Sequence, residues 1–164
     1  EMLSFAKENK LIYAVKLVRG AYMEKERARA ISKGYTSPIQ PDKIATDADY
    51  DAALAFIIDH QSHFALCAGT HNEESSLKLS QLMTQQSISP ANSKFYFSQL
   101  LGMSDHISYN LANEGYNVAK YVPFGPIREV MPYLLRRADE NTSVAGQTSR
   151  ELSLIKKERK RRNA

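Results

Sequence analysis

Four short apolar segments, separated by stretches with helical periodicity, constrain the fold of this chain more than any other feature. They lie at residues 11–18, 64–68, 95–100 and 118–122. Each is rich in β-branched and aromatic residues, and they tend to be continuously apolar rather than alternating, which is typical of strands covered on both faces. The sequence therefore predicts four strands with helices between them.

The intervening stretches have recognisable helix ends. We expect helices over residues 46–60, 72–86, 104–115 and 126–141, and a broken helical insertion after the first strand. Thr46, Asn72 and Ser104 are suited to begin the first three helices. Gly115 is suited to end the third, and Pro126 fits the first turn of the fourth.

Strands that alternate with helices predict an α/β fold with a parallel sheet. Two architectures remain open at this point, an open doubly wound sheet and part of a (β/α)8 barrel. A whole barrel needs about 250 residues, so four strand–helix units in 164 residues correspond to half of one. The chain begins at Glu1 within a helical pattern, which indicates a piece of a longer protein.

The charge distribution argues against a nucleic-acid-binding protein. The net charge is +4, but residues 156–164 hold six basic residues and one acidic residue, which leaves the rest at −1. A short terminal basic run is more often a solvated end than a binding patch. Cys67 is the single cysteine, which excludes an internal disulfide and fits a reducing compartment.

Polar, aromatic and glycine residues collect where the predicted strands end. In parallel α/β sheets, ligands bind beyond the carboxyl ends of the strands. The segments that follow or close the four strands are residues 16–22, 69–72, 97–103 and 120–126. There is no HExxH, GxGxxG or P-loop motif, so the sequence supports neither metal catalysis nor those nucleotide-binding sites.

The last predicted helix carries a candidate carboxylate clamp. Tyr133, Arg136, Arg137 and Glu140 are spaced so that they share one side of the helix. Adjacent arginines offer two planar forks to a carboxylate, and Glu140 can hold one of them in place. The alternative is a solvated basic stripe with an ordinary Arg136–Glu140 ion pair.

Taken together, these segments resemble the proline dehydrogenase family. The resemblance is carried by Lys16–Tyr22 (KLVRGAY), Gly69–Asn72 (GTHN), Leu100–Met103 and, most specifically, Tyr121–Asn141 (YVPFGPIREVMPYLLRRADEN). It implies that residues 1–148 are the C-terminal half of a (β/α)8 barrel and that 149–164 form a basic tail. It also implies FAD-dependent oxidation of L-proline to Δ1-pyrroline-5-carboxylate.

The resemblance also implies roles for individual residues. Lys16 and Tyr121 would be catalytic, with Lys16 beside flavin N5. The FAD contacts would be Arg19, Gly20, Ala21, Thr70 and His71. The proline carboxylate would be bound by Arg136 and Arg137, with Glu140 orienting them, and the ring by Tyr22, Leu100, Tyr121 and Tyr133. Some family branches carry arginine at the position of Lys16. The residues of the other half of the barrel are absent here.

Partners and location follow from the same resemblance. It implies a membrane quinone as electron acceptor, and a cytoplasmic protein, peripheral at the inner membrane surface, or a matrix protein in mitochondria. We expect no metal, no nucleic acid, and self-association of the fragment through its open edges, without activity. Two alternatives are another flavin barrel oxidoreductase, of the methylenetetrahydrofolate reductase type, and a basic-tailed protein that binds nucleic acid or membranes.

Overall fold

The protein consists of seven helices and four strands over the residues that its computed structural model describes. These are residues 1–19, 22–143 and 147–163, with the side chains of 136–151 left out. In chain order the elements are α1 (Met2–Glu8), β1 (Tyr13–Val18), α2 (Met23–Lys33), α3 (Lys43–Asp59), β2 (Phe64–Gly69), α4 (Glu73–Gln85), β3 (Phe95–Leu100), α5 (Asp105–Asn113), β4 (Val118–Tyr121), α6 (Ile127–Ser143) and α7 (Gln147–Arg162).

The four strands form one parallel sheet in the order β1-β2-β3-β4. In register, Lys16 pairs with Cys67 and Cys67 with Tyr96, while Ser98 pairs with Ala119. Sequential order without a reversal is the arrangement of consecutive units in a (β/α)8 barrel, whereas a doubly wound sheet contains a switch point. The predicted α/β fold with parallel strand–helix units is confirmed, and the predicted strands agree with the observed ones to within two residues.

The hydrophobic core lies on one face of the sheet. Leu66, Phe95 and Phe97 point into it and are almost completely buried. They pack with Leu54 and Ile58 of α3 in a cluster that continues into α4. Fully burying one such side chain contributes about 1.5–3 kcal/mol relative to leaving it exposed.

The other face of the sheet, which we call the open face, is not covered by the described elements of the unit Glu1–Tyr121. The prediction that the strands are covered on both faces is therefore wrong for this unit. Burial alternates along β1, β2 and β3, and within the unit Glu1–Tyr121 no described element covers the side chains of Lys16 and Tyr96. The continuously apolar runs predicted strands covered on both faces. Four strands are too few to close a barrel around their inner side chains, so this unit alone leaves that face uncovered.

Side chains cap the starts of α3 and α4, whereas Ser104 precedes α5 as predicted but makes no side-chain capping hydrogen bond. Asn72 caps α4 as predicted, because its side-chain oxygen accepts a hydrogen bond from Ser75 N at 3.0 Å. Gly115 follows α5 with a φ of 81°, a conformation that favours glycine. The predicted start at Thr46 is wrong: α3 begins at Lys43, and Asp42 accepts from Ala45 N at 2.8 Å. Both residue types cap well, and the aspartate lies where the chain turns.

The chain divides into two compact units, Glu1–Tyr121 and Val122–Ala164. The first contains the sheet and the core. The second contains α6 and α7, and α6 includes Pro132 in its interior. The predicted boundary at residue 148 stays a prediction. Among the described residues, no helix has the length and apolar character required to cross a membrane.

Candidate functional site

A patch of small residues lies on the open face near the carboxyl end of the sheet. It consists of Gly69, Ser98 and Ala119, which pair with one another across β2, β3 and β4. Alternation of side chains along a strand places all three on the open face. We call it the small-residue patch. It offers a nearly flat surface at the end of a parallel sheet where ligands bind.

Two predicted catalytic residues meet above this patch. Lys16 Nζ lies 5.3 Å from the centre of the Tyr121 ring, although β1 and β4 are at opposite edges of the sheet. The lysine passes over β2, since its Cε is 3.6 Å from the position that a Cβ on Gly69 would occupy. Leu100 pairs with Tyr121 and lies on the same face. The structure thus brings Lys16, Leu100 and Tyr121 together.

Arg19, just beyond β1, is the centre of a second group. Its Nη1 donates to Thr70 Oγ1 at 2.8 Å, its Nε to Asp47 Oδ1 at 2.7 Å and its Nη2 to Ser75 Oγ at 2.6 Å. The guanidinium also lies 4.0 Å from the centre of the Tyr50 ring. Burial raises the pKa of Tyr50 to about 12, so the phenol stays neutral beside the cation. Two predicted cofactor contacts, Arg19 and Thr70, are therefore joined directly.

His71 links the loop after β2 to the loop after β3. Its Nδ1 is 2.9 Å from Ser104 Oγ, and the tautomer decides which of the two donates. A second contact joins the first residues of α4 to α5, because His106 Nε2 lies 2.6 Å from Glu73 Oε1. These contacts hold the amino-terminal ends of α4 and α5 side by side at the carboxyl edge of the sheet.

Gln99 supports the same edge from inside the protein. Its side chain is buried, with 2% of the residue exposed. Nε2 donates to Thr70 O at 3.2 Å, and Oε1 accepts from Ser108 Oγ at 2.9 Å. A buried amide with both ends satisfied is stabilising, whereas an unsatisfied end costs about 1–3 kcal/mol.

The remaining predicted site residues lie before α2, in the second unit, or outside the described residues and side chains. Tyr22 precedes α2 in a left-handed conformation, with 63% of the residue exposed and Lys25 Nζ 5.3 Å from its ring centre. Tyr133 lies half-buried in α6, which belongs to the second unit. Four predicted contacts and one orienting residue lie outside the described residues or side chains: Gly20, Ala21, Arg136, Arg137 and Glu140.

Sequence reasoning missed three residues of the Arg19 and Thr70 surroundings. Asp47, Ser75 and Gln99 were not candidates, because an acidic residue in a helix and a serine near a helix start are ordinary surface residues in a sequence. One available signal was the spacing of Lys43, Asp47 and Asp51, which places them on one side of α3. For Gln99, the signal was a polar residue within an apolar strand.

Comparison with known families adds an independent finding. A family model described as proline dehydrogenase matches residues 1–150. The chain is 44% identical over 146 residues to human mitochondrial proline dehydrogenase 1. The aligned region covers 87% of this chain and 24% of that protein. It is 44% identical over 156 residues to human hydroxyproline dehydrogenase, which covers 93% of this chain and 34% of the relative.

Solved structures give the same result. The crystal structure of proline utilization A from Bdellovibrio bacteriovorus, a protein inactivated by N-propargylglycine, superimposes on this chain with a TM-score of 0.79 at 26% sequence identity. The match covers 88% of this chain and 15% of that one. The chain therefore spans about a quarter to a third of the length of the curated relatives that it matches.

Proposed function

Because this chain belongs to the proline dehydrogenase family, we propose that it supplies half of the catalytic barrel of an enzyme that oxidises L-proline with FAD. Residues 1–148 would be the C-terminal half of the barrel, and 149–164 a basic tail. The observation that carries the proposal is the meeting of Lys16 and Tyr121 above the small-residue patch. A cation and an aromatic ring over a flat surface form a binding site for a planar, electron-accepting ring.

The residues present fit a flavin. Gly69 has no side chain above the sheet, and a Cβ there would stand 2.9 Å from Val18 Cγ1, so the close approach of a ring to the backbone of β2 is possible only with glycine at this position. The ammonium of Lys16 is suited to the negative charge that flavin gains on reduction. Arg19 and Thr70 lie at the neighbouring strand ends, where hydrogen-bond donors suit a phosphate or ring oxygens. Gly20, Ala21 and His71 complete the proposed contacts.

When bound, FAD would supply the acceptor for the hydride of proline C5, and loss of a proton from the ring nitrogen would complete the C5=N double bond of the product. The task of the protein is to hold the two reacting atoms in line. Tyr121 and Leu100 would form the wall of the pocket for the pyrrolidine ring, together with Tyr22 and Tyr133. This wall excludes water from the apolar carbons of the substrate.

The carboxylate of proline needs a charged partner to fix its orientation. We assign this role to Arg136 and Arg137, with Glu140 orienting their forks, from their common side on one helix. A bidentate clamp at one end of the substrate and an apolar wall at the other leave a single productive orientation.

The test is an anaerobic titration of the complete protein that carries this chain, reconstituted with FAD. L-proline should bleach the flavin absorbance and yield Δ1-pyrroline-5-carboxylate in equal amounts. Reduction by a methylenetetrahydrofolate, without reduction by proline, would support the other flavin barrel reading instead. Binding to nucleic acid or membranes that weakens steeply with salt and is lost when residues 156–164 are removed would favour the basic-tailed binding protein.

Hydroxyproline is a second candidate substrate, since the two human relatives named for proline and hydroxyproline are equally similar to this chain. We favour proline because Tyr121 places a bulky ring at the proposed substrate wall. The ratio of kcat/KM for L-proline and trans-4-hydroxy-L-proline decides between them.

The reduced cofactor would pass its electrons to a membrane quinone, which requires the protein to reach a membrane surface. Several of the relatives, including the human and the Caenorhabditis elegans proteins, are named as mitochondrial, and we propose a matrix location for a eukaryotic source. Without the rest of the barrel, the open face and the edges of β1 and β4 favour self-association of this chain. Light scattering should show a dimer or larger species without FAD, and a monodisperse monomer would contradict this.

A further inference from the structure

The Arg19 guanidinium is oriented by groups from three elements. Asp47 of α3, Thr70 after β2 and Ser75 of α4 each accept one hydrogen bond from it, at 2.6–2.8 Å. Tyr50 of α3 covers one side of its plane. A planar cation bound in this way has one orientation, and each bond restricts the others.

Asp47 supplies the close negative charge in this arrangement. The nearest oxygen of Asp51 is 4.0 Å from Arg19 Nη2, and Asp51 instead accepts a hydrogen bond from Ser75 Oγ at 2.7 Å. The second oxygen of Asp47 is bound by Lys43, one turn earlier in α3. Burial disfavours ionisation of Asp47, but hydrogen bonds from Lys43 and Arg19 outweigh it and hold the pKa below its ordinary value. Asp47 is therefore a carboxylate at neutral pH.

Through Arg19, Asp47 acts on the loop that begins α4. Thr70 Oγ1 accepts from Arg19 Nη1 and also from Asn72 N at 3.1 Å. The loop of Thr70, His71 and Asn72 is thus tied to the guanidinium at its first residue. Losing Asp47 leaves Arg19 with its bonds to Thr70 and Ser75 but without its closest charged partner, which loosens the orientation of the guanidinium that holds this loop.

We propose that Asp47 is a positioning residue for the cofactor, which acts through Arg19 to preorganise Arg19 and Thr70 for FAD. This inference rests on the proposed function. Preorganised groups bind a ligand more tightly because less conformational freedom is lost on binding. Nothing in the proposed chemistry requires Asp47 to touch the flavin or proline.

The position of Asp47 separates this role from a contribution to the core. The buried residues of α3 are Tyr50, Leu54, Ile57 and Ile58. The Asp47 side chain is instead 26% exposed and pairs with polar groups. Asp49, two residues along the same helix, is exposed, accepts from Gln40 Nε2 at 3.2 Å and does not contact Arg19 by any bond in the described structure. It is a matched control.

The experiment measures the dissociation constant of FAD for the complete apoprotein by flavin fluorescence. Asp47→Ala should weaken FAD binding by roughly 10- to 100-fold, the effect of one charged hydrogen bond. Asp47→Asn, which keeps the shape of the side chain, should give a smaller loss in the same direction, and Asp49→Ala none. With saturating FAD, KM for proline should stay unchanged in Asp47→Ala.

A double-mutant cycle tests whether Asp47 acts through Arg19. The variant carrying both Arg19→Met and Asp47→Ala should bind FAD as weakly as Arg19→Met alone, whereas additive losses would overturn the inference. Unchanged FAD affinity in folded Asp47→Asn would overturn it as well, and that variant decides if Asp47→Ala does not fold. A wild-type protein that binds no flavin would refute the proposed function, and this inference with it.

Discussion

Replacing Gly69 with alanine tests the close packing at the small-residue patch. A Cβ at this position would stand 2.9 Å from Val18 Cγ1 and 3.4 Å from Leu17 O. Carbon atoms in favourable contact lie about 3.5–4.0 Å apart, so the new methyl is too close to Val18 by roughly 0.6–1.1 Å. Valine has a stiff χ1, and the shift therefore has to involve the backbone of β1 or an unfavourable rotamer.

The expected cost of Gly69→Ala is about 1–3 kcal/mol of the free energy of unfolding, the usual range for overpacking. The opposite sign is the natural alternative. Gly69 is not among the glycines with positive φ, so alanine fits its backbone and, without a clash, would stabilise the protein by about 0.4–1 kcal/mol. The sign of the change alone therefore distinguishes the two outcomes.

Urea denaturation of the complete protein, followed by circular dichroism, provides the measurement. Val18→Ala in the same background should recover most of the loss, because it removes the atom that the new methyl meets. Val18 is half exposed, so Val18→Ala alone should change stability by about 0.5 kcal/mol or less. Stabilisation by Gly69→Ala, or no recovery in the double variant, would refute the reasoning.

Three further predictions concern the proposed active site of the complete enzyme. Arg136→Met and Arg137→Met should each raise KM for proline with FAD content retained, at a cost of about 2–4 kcal/mol in kcat/KM; near-normal steady-state kinetics in both would remove them from the site. Lys16→Met should lower the flavin reduction potential, measured by dye equilibration, and slow reduction by proline; an unchanged potential means that the ammonium does not act on the flavin. Tyr121→Ser should narrow the difference in kcat/KM between proline and hydroxyproline; a lower melting temperature with selectivity retained would assign the ring to packing.

Local features of this fold were predictable because they depend on neighbours in sequence. The strand at Phe95–Leu100 is observed as predicted, and Asn72 caps α4 as its side chain and position indicate. The start of α3 was not predictable from the sequence, because Asp42 and Thr46 are both good capping residues. The choice depends on where the chain turns before the helix.

The candidate site divides in the same way. The strand ends predicted the segments 16–22, 69–72 and 120–126, since a parallel sheet brings such ends to one edge, and the family resemblance singled out Lys16, Arg19, Thr70 and Tyr121 within them. The spacing within one helix predicted a common side for Arg136 and Arg137. Both inferences need only the period of a strand or a helix, together with the family resemblance.

The contacts that join these residues depended on the tertiary structure. Lys16 and Tyr121 are on the two edge strands, and the lysine side chain reaches across β2 to within 5.3 Å of the centre of the tyrosine ring. Arg19 and Asp47 are 28 residues apart, and the packing of α3 on the sheet places the carboxylate 2.7 Å from the guanidinium. The sequence by itself determined which side chains stand at the carboxyl edge of the sheet, because periodicity is local. Only the tertiary structure decided which of them touch, since that depends on how helices and strands distant in the chain pack together.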